Sequence, residues 1–125
     1  MTAHDVEKMW YIYYMNFYAY TILEMIATFS DNGKRIELFL RDSLEVRLPE
    51  SQVSGYMWQF DEKSCPCLRL FESIYVERGP AKYNGLGDRS WFFTTASIGE
   101  CELVFCLIRP WSKPSPEYAI KVAVK

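Results

Sequence analysis

Histidine is almost absent from this chain of 125 residues: His4 is the only one, and it lies near the N-terminal end. Ser-His-Asp and Cys-His catalysis both need an imidazole held beside the nucleophile. The scarcity of histidine therefore excludes most covalent hydrolytic mechanisms. Asp61 and Glu62 form an adjacent acidic pair, but neighbouring residues of a strand point to opposite faces. We expect this pair to solvate a loop, and we predict no enzyme.

Runs of lysine or arginine are also absent. The formal net charge is -2, and the charged side chains are scattered along the chain. Nucleic-acid binding depends on clustered basic groups that neutralise phosphates, so no nucleic-acid partner is expected. The sequence contains no Asn-x-Ser/Thr acceptor for N-glycosylation either.

One long uncharged run, residues 9–23, stands near the N-terminal end and holds seven aromatic residues between Trp10 and Tyr20. A membrane-spanning helix needs about 20 apolar residues, and Glu24 ends this run earlier. Tyrosine-rich segments suit a membrane interface better than the centre of a bilayer. The run is therefore short and unusually aromatic for a transmembrane helix.

The same run lacks the features of a signal peptide, which needs a basic start and a small-residue cleavage site. Asp5 and Glu7 precede it, and no Ala-x-Ala pattern follows. We interpret residues 1–23 as an aromatic extension of a domain over residues 24–125. Membrane association through residues 9–23, targeting and a role as an interaction arm are the alternatives. If residues 9–23 are a targeting segment, we expect a secreted, periplasmic or lysosome-like compartment. If they are not, we expect a cytoplasmic location.

From Glu24 onward, apolar side chains recur at every second position, which is typical of strands with one buried face. About seven such strands with turns between them predict an all-β sandwich or a barrel. Glu72 interrupts one of these series. The residues predicted to share buried faces are Ile36, Leu38 and Leu40; Leu44, Val46 and Leu48; Tyr56, Trp58 and Phe60; Leu68, Leu70, Ile74 and Val76; Trp91 and Phe93; Cys101, Leu103, Phe105 and Leu107; and Tyr118, Ile120, Val122 and Val124.

The dipeptide Asn32-Gly33 precedes the first of these strands. Both residue types tolerate a positive φ, and this pair is a strong indicator of a two-residue β-hairpin loop. We therefore expect a strand over residues 25–29 to fold back onto a strand over residues 35–40.

Four cysteines, Cys65, Cys67, Cys101 and Cys106, permit two disulfides without requiring them in a chain of this length. Structural zinc sites usually contain Cys-x(2–4)-Cys pairs, whereas Cys65 and Cys67 are separated by a single residue, and Cys101 and Cys106 would point to opposite faces of a strand. We therefore predict no metal and no cofactor. Cys101 continues a buried series and Cys106 points the opposite way. The sequence does not decide how Cys65 or Cys67 is paired.

Three segments between the predicted strands stand out: residues 51–58, residues 84–88 and residues 109–111. Each alone is explained by an ordinary turn, in which glycine supplies a positive φ and proline ends a ladder. Gly85-x-Gly87 lies between strands and does not precede a helix, so it is no dinucleotide-binding motif.

Together, in this order and spacing, the three segments resemble the loops of the chagasin family of cysteine protease inhibitors. The family motifs are Asn-Pro-Thr-Thr-Gly-Tyr/Phe-x-Trp, Gly-x-Gly-Gly and Arg-Pro-Trp. Here Gly55-Tyr56-x-Trp58 matches the end of the first, Gly85-x-Gly87 most of the second, and Arg109-Pro110-Trp111 all of the third. The flanking segments 44–49 and 118–124 are also similar to the family's strands. The resemblance covers about 100 of the 125 residues.

The chain departs from the family pattern mainly in the first loop. Ser51, Gln52, Val53 and Ser54 stand where the family has Asn-Pro-Thr-Thr, so one hydroxyl and the proline ring are missing. Loss of the proline lowers loop rigidity and raises the entropy lost on binding. Asp88 replaces the last glycine of the second motif.

The resemblance implies an immunoglobulin-like sandwich whose three clustered loops enter the cleft of a papain-like cysteine protease and inhibit it reversibly. An immunoglobulin-like interaction module with altered loops and no protease target is the alternative function. By resemblance, the protease-binding residues are Ser51, Gln52, Val53, Ser54, Gly55 and Tyr56; Gly85, Leu86, Gly87 and Asp88; and Arg109, Pro110 and Trp111.

Overall fold

The computed structural model describes residues 24–78 and 86–125, and these residues form two packed β-sheets. The strand order is β1-β3-β6-β5 in the first sheet and β2-β8-β7-β4 in the second. One short 3-10 helix, Phe29–Asp31, follows β1. The strands are β1 (Glu24–Thr28), β2 (Arg35–Leu38), β3 (Ser43–Ser51), β4 (Met57–Phe60), β5 (Leu68–Glu77), β6 (Leu86–Thr95), β7 (Gly99–Ile108) and β8 (Ser115–Val124).

This architecture confirms the predicted all-β, immunoglobulin-like sandwich. Within the described ranges there are eight strands, where the sequence predicted about seven. In the same ranges, no helix has the length and hydrophobicity needed to cross a membrane. The uncharged run at residues 9–23 and the proposed role of residues 1–23 lie outside the described residues.

The core lies between the sheets and contains the alternating apolar residues that the pattern predicted. Leu44, Val46 and Leu48 are at most 1% exposed, and β8 contributes a second buried series, Tyr118 to Val124. Phe105 lies at its centre, with its ring 4.6 Å from that of Trp91 in an edge-to-face arrangement. Burial of one such side chain stabilises the fold by roughly 1.5–3 kcal/mol. This packing holds the two sheets in a fixed relative position.

The predicted hairpin at Asn32-Gly33 is wrong. Asn32 has φ -54° and ψ 129° and Gly33 has φ 83°, while the Lys34 amide donates to the Asp31 carbonyl at 3.0 Å. These angles describe a type II turn, whereas two-residue hairpin loops require type I′ or II′ turns. The chain therefore crosses between sheets: β1 runs parallel to β3, and β2 runs parallel to β8.

The predicted series Ile36, Leu38 and Leu40 ends one member early. Leu38 is fully buried, but β2 stops there and Leu40 is 44% exposed. The Asp42 carboxylate accepts a hydrogen bond from the Phe39 amide at 2.8 Å, and Arg41 adopts a positive φ of 81°. This tight turn takes Leu40 out of the strand and away from the core.

The predicted single face of β5 is also wrong beyond Leu70. A bulge at Phe71 shifts the register with β6, so that Leu70 lies opposite Phe93 and Ser73 lies opposite Trp91. A bulge inserts one extra residue and moves the later side chains to the other face. Ile74 and Val76 are consequently exposed, at 39% and 57%.

The cysteines are divided between one disulfide and two free thiols. Cys65 is bonded to Cys101, which joins the segment before β5 to β7, while Cys67 is buried and Cys106 is half-buried. Within the described part of the chain, no group of three or more His, Cys, Asp or Glu side chains is arranged to hold a metal ion.

Candidate functional site

The predicted loop segments meet at one end of the sandwich. Ser51 at the end of β3 lies opposite Leu86 at the start of β6, and Met57 at the start of β4 lies opposite Ile108 at the end of β7. We call this region, residues 51–56, 86–89 and 109–114, the loop end. Gly85 falls in the range 79–85, outside the described residues.

The first loop is a crossover from one sheet to the other. Ser51 is buried at its base, whereas Gln52, Val53, Ser54 and Gly55 are exposed. Val53 is the tip, with 74% of its surface exposed. The Ser54 hydroxyl donates to the Ser51 carbonyl at 3.0 Å, which closes the loop on itself.

Gly55 lets this loop turn beside the third loop. Its φ is 80°, a left-handed conformation that residues with a Cβ rarely adopt. A Cβ placed there would lie 3.5 Å from Cγ of Pro110, so the first loop passes close beside the third loop. Two of the predicted motifs are thus brought together.

The stem of the first loop is closed by Trp58. Its indole Nε1 donates to the Pro49 carbonyl at 2.9 Å, and its backbone amide donates to Oε1 of Glu50 at 2.9 Å. Because β3 and β4 belong to different sheets, these two bonds connect the sheets where the loop leaves them. Trp58 was expected as a buried residue of its strand, and it is 7% exposed.

Glu50 is a functional candidate that the sequence analysis missed. It is 3% exposed, and its Oε2 accepts a hydrogen bond from Arg89 Nε at 2.8 Å. The series Leu44, Val46, Leu48 continues inward to position 50, so a carboxylate at an inward position was the available sign of a buried polar site.

The start of β6 carries the second motif. Gly87 is buried opposite Glu50, and a Cβ there would overlap the Val76 carbonyl oxygen and lie 2.6 Å from the Tyr75 hydroxyl. Leu86 is 38% exposed beside it. Asp88 accepts hydrogen bonds from Nε and Nη2 of Arg78, one on each carboxylate oxygen, and this hydrogen bonding lowers the pKa of Asp88.

The third loop presents an exposed indole on an anchored base. Trp111 is 72% exposed, and Pro110 separates it from Arg109. The Arg109 guanidinium makes hydrogen bonds of 2.8 Å and 3.3 Å to the two carboxylate oxygens of Glu117. Those bonds lower the pKa of Glu117, because they favour its charged form.

A cavity of about 330 Å³ lies at the stems of the first and third loops. Phe29 of the 3-10 helix forms one wall, with its ring centroid 6.3 Å from that of Trp58. The lining residues are Phe29, Pro49, Tyr56, Trp58, Leu107, Arg109 and Glu117. Tyr56, a predicted binding residue, is therefore half-buried in this wall rather than at the loop tip.

The arrangement is suited to binding rather than to chemistry. The first and third loops approach one another at Gly55 and Pro110, and each carries one exposed apolar residue, Val53 or Trp111. Rigid sheets hold the bases of both loops, as is common for binding loops on a β-scaffold.

Comparisons with known proteins agree with this fold and identify the family. The family model described as "Chagasin family peptidase inhibitor I42" matches residues 37–124. Among solved structures, the cysteine protease inhibitor EhICP2 from Entamoeba histolytica superposes with a TM-score of 0.67 at 15% identity, covering 82% of this chain and 97% of that one. Amebosin superposes with a TM-score of 0.65 at 23% identity, covering 82% and 98%. At these identities the two likenesses establish the fold. No curated protein sequence matches the chain.

Proposed function

The chain belongs to the chagasin family of peptidase inhibitors, and from this premise we propose that its loop end fills the active-site cleft of a papain-like cysteine protease. The family consists of inhibitors, and the protein is accordingly an inhibitor and not an enzyme. We assign this activity to the domain over residues 24–125 and treat residues 1–23 as an extension of it.

The observation that carries the proposal is the pair of exposed apolar tips on a rigid base. Val53 and Trp111 are 74% and 72% exposed, although both are residues that folding normally buries. Tryptophan and arginine are enriched among the residues that dominate binding energy at interfaces. Such tips, carried by two adjacent and anchored loops, fit a concave partner.

We assign the central position in the cleft to residues 52–55. Gly55 lacks a side chain, so the backbone can approach the catalytic cysteine and histidine closely. The Ser54 hydroxyl already donates to Ser51, and its oxygen lone pairs remain free to accept a hydrogen bond from the protease histidine.

We assign the two sides of the cleft to the other segments. Arg109 and Trp111 would hold one side, with the Arg109 guanidinium already oriented by Glu117. The segment from Gly85 to Asp88 would line the other, with exposed Leu86 as its contact residue and buried Gly87 as its support. We expect an interface near the standard size of roughly 800 Å² per partner.

Inhibition of this kind is reversible, because the loops need not offer a peptide bond in attack geometry. The test is a titration of papain activity with the full chain, repeated on a cathepsin L-type enzyme. Stoichiometric loss of activity that recovers on dilution would support the proposal. A well-folded protein that inhibits neither enzyme would favour an immunoglobulin-like interaction module with another partner.

A further inference from the structure

A buried ion pair, Glu50 with Arg89, lies directly beneath the first loop. Both side chains belong to the inner face of the first sheet, on β3 and β6. The Glu50 side chain is 2% exposed and that of Arg89 is 25% exposed, with 2.8 Å between Oε2 and Nε. Apolar core residues occupy the rest of this face, so the ion pair forms a polar site at the margin of the core nearest the loop end.

The two carboxylate oxygens of Glu50 point to different sheets. Oε2 binds Arg89 of the first sheet, while Oε1 accepts the backbone amide of Trp58 in the second sheet. Trp58 is also bound to the Pro49 carbonyl through its indole. Glu50 therefore joins both ends of the first loop and fixes the distance between them.

Tyr75 links this pair to the second motif. The Arg89 guanidinium carbon lies 5.5 Å from the centre of the Tyr75 ring, and the Tyr75 hydroxyl donates to the Glu50 carbonyl at 3.4 Å. The Tyr75 ring occupies the space over Gly87 that a Cβ would fill. The base of the first loop and the start of β6 are thus built around one set of contacts.

We propose that Glu50 and Arg89 are positioning residues, which hold the first loop in the shape that enters the protease cleft. This inference rests on the proposed function. The first loop lacks the proline of the family motif, so ordering it on binding would lower affinity. A buried ion pair at the stem of the loop supplies rigidity, because removal of either partner leaves the other charge buried and uncompensated.

The chain offers a matched control on the same strand. Glu45 is also buried, at 6% exposure, and accepts hydrogen bonds from Arg47 and Ser90 at 2.8 Å. It lies on the outer face of the first sheet, opposite Phe92 and away from the loop end. Glu45→Gln and Glu50→Gln therefore both remove a buried carboxylate from β3, and only Glu50→Gln alters the loop stem.

The experiment measures two quantities on the full chain at a temperature where each variant is folded. The first is the inhibition constant for papain, which should rise about tenfold in Glu50→Gln, equivalent to about 1.4 kcal/mol, and stay within about twofold in Glu45→Gln. The second is the hydrogen-exchange rate of the Trp58 amide relative to that of the core amide of Ile120. This ratio should rise about tenfold in Glu50→Gln only, since the amide loses its charged acceptor.

Arg89→Gln is the second variant, and it keeps the proposal testable if Glu50→Gln does not fold. It should raise the inhibition constant by a similar factor. The double variant, Glu50→Gln with Arg89→Gln, should inhibit papain as tightly as either single variant. Equal inhibition constants and equal Trp58 exchange ratios in the Glu50 and Glu45 variants would overturn the inference. Failure of the unmodified chain to inhibit papain would overturn the proposed function instead, and the exchange ratio would still decide whether Glu50 orders the loop.

Discussion

Gly55 and Pro110 are close neighbours at the loop end: a Cβ on Gly55 would lie 3.5 Å from Cγ of Pro110, while the Gly55 backbone has φ 80°. The first loop therefore lies beside the third loop, and each of the two carries an exposed apolar side chain, Val53 or Trp111. The space would admit a methyl group, so the restriction at this position is the backbone conformation.

Gly55→Ala should therefore weaken inhibition through the backbone. A left-handed conformation costs a residue with a Cβ roughly 1–2 kcal/mol, and the loop should relax to another shape. Gly33→Ala is the matched control, since Gly33 has φ 83° with no atom within 4 Å of its Cβ position. Both variants should lose similar free energy of unfolding in urea, and only Gly55→Ala should raise the inhibition constant for papain. Equal inhibition by the two variants would contradict this role of Gly55.

Trp111→Ala should weaken binding without weakening the fold. The side chain is 72% exposed in the free protein, so its removal leaves no cavity. An interface tryptophan of this type contributes on the order of 2 kcal/mol, which corresponds to about a 30-fold rise in the inhibition constant. Phe39→Ala, at a 63% exposed aromatic residue at the opposite end, should leave inhibition unchanged. If a folded Trp111→Ala variant inhibits papain as well as the unmodified chain does, the third loop is not part of the interface.

The titration of Glu117 should depend on Arg109. Hydrogen bonds from Arg109 and Ser115 hold the pKa of Glu117 below its ordinary value of 4.5. A carboxylate with a lowered pKa stabilises the fold above its unfolded pKa, and that contribution is lost as the pH falls through the folded pKa. In Arg109→Gln, NMR titration should move the Glu117 midpoint upward, while Arg35→Gln should not change it. An unchanged midpoint in Arg109→Gln would mean that the guanidinium does not hold Glu117 in solution.

The disulfide between Cys65 and Cys101 should account for much of the domain's stability. The two residues are 36 positions apart, and closing a loop of that length in the unfolded chain contributes about 4 kcal/mol in the chain-entropy description. Cys65→Ala combined with Cys101→Ala should lower the free energy of unfolding by that order. Cys106→Ala, at a half-buried free thiol, should change it by roughly 0.5 kcal/mol or less. Equal stability of the double variant and the unmodified chain would contradict this contribution of the disulfide.

Alternation was sufficient to predict the strands that line the core, because burial of one face imposes a period of two on any strand. It failed at β5, where the bulge at Phe71 exchanges the faces. Glu72 marked that irregularity in the sequence, but a single charged residue is equally consistent with a partly exposed strand. The hairpin prediction at Asn32-Gly33 failed for a related reason. The dipeptide favours a turn, but the partners of the flanking strands depend on contacts far away in sequence.

The predicted site residues occupy, as far as they are described, one end of the sandwich. The resemblance of short motifs placed them there, since periodicity does not distinguish one turn from another. Glu50 was missed because an inward carboxylate is explained only when its partners are known. Trp58 and Arg89 are 8 and 39 residues away from it, and the sheet topology alone brings them together.

The parallel pairing of β1 with β3 has a consequence for how this domain can be attached to other structures. Glu24 lies opposite Ser43 and Gly99 lies opposite Val124, so the described domain begins and ends at the pole remote from the loops. A fusion partner joined to the C-terminal carboxyl, or a solid support coupled there, would leave the opposite pole unobstructed. The domain can therefore be tethered, repeated in tandem or immobilised on a sensor surface with its loops facing away from the point of attachment.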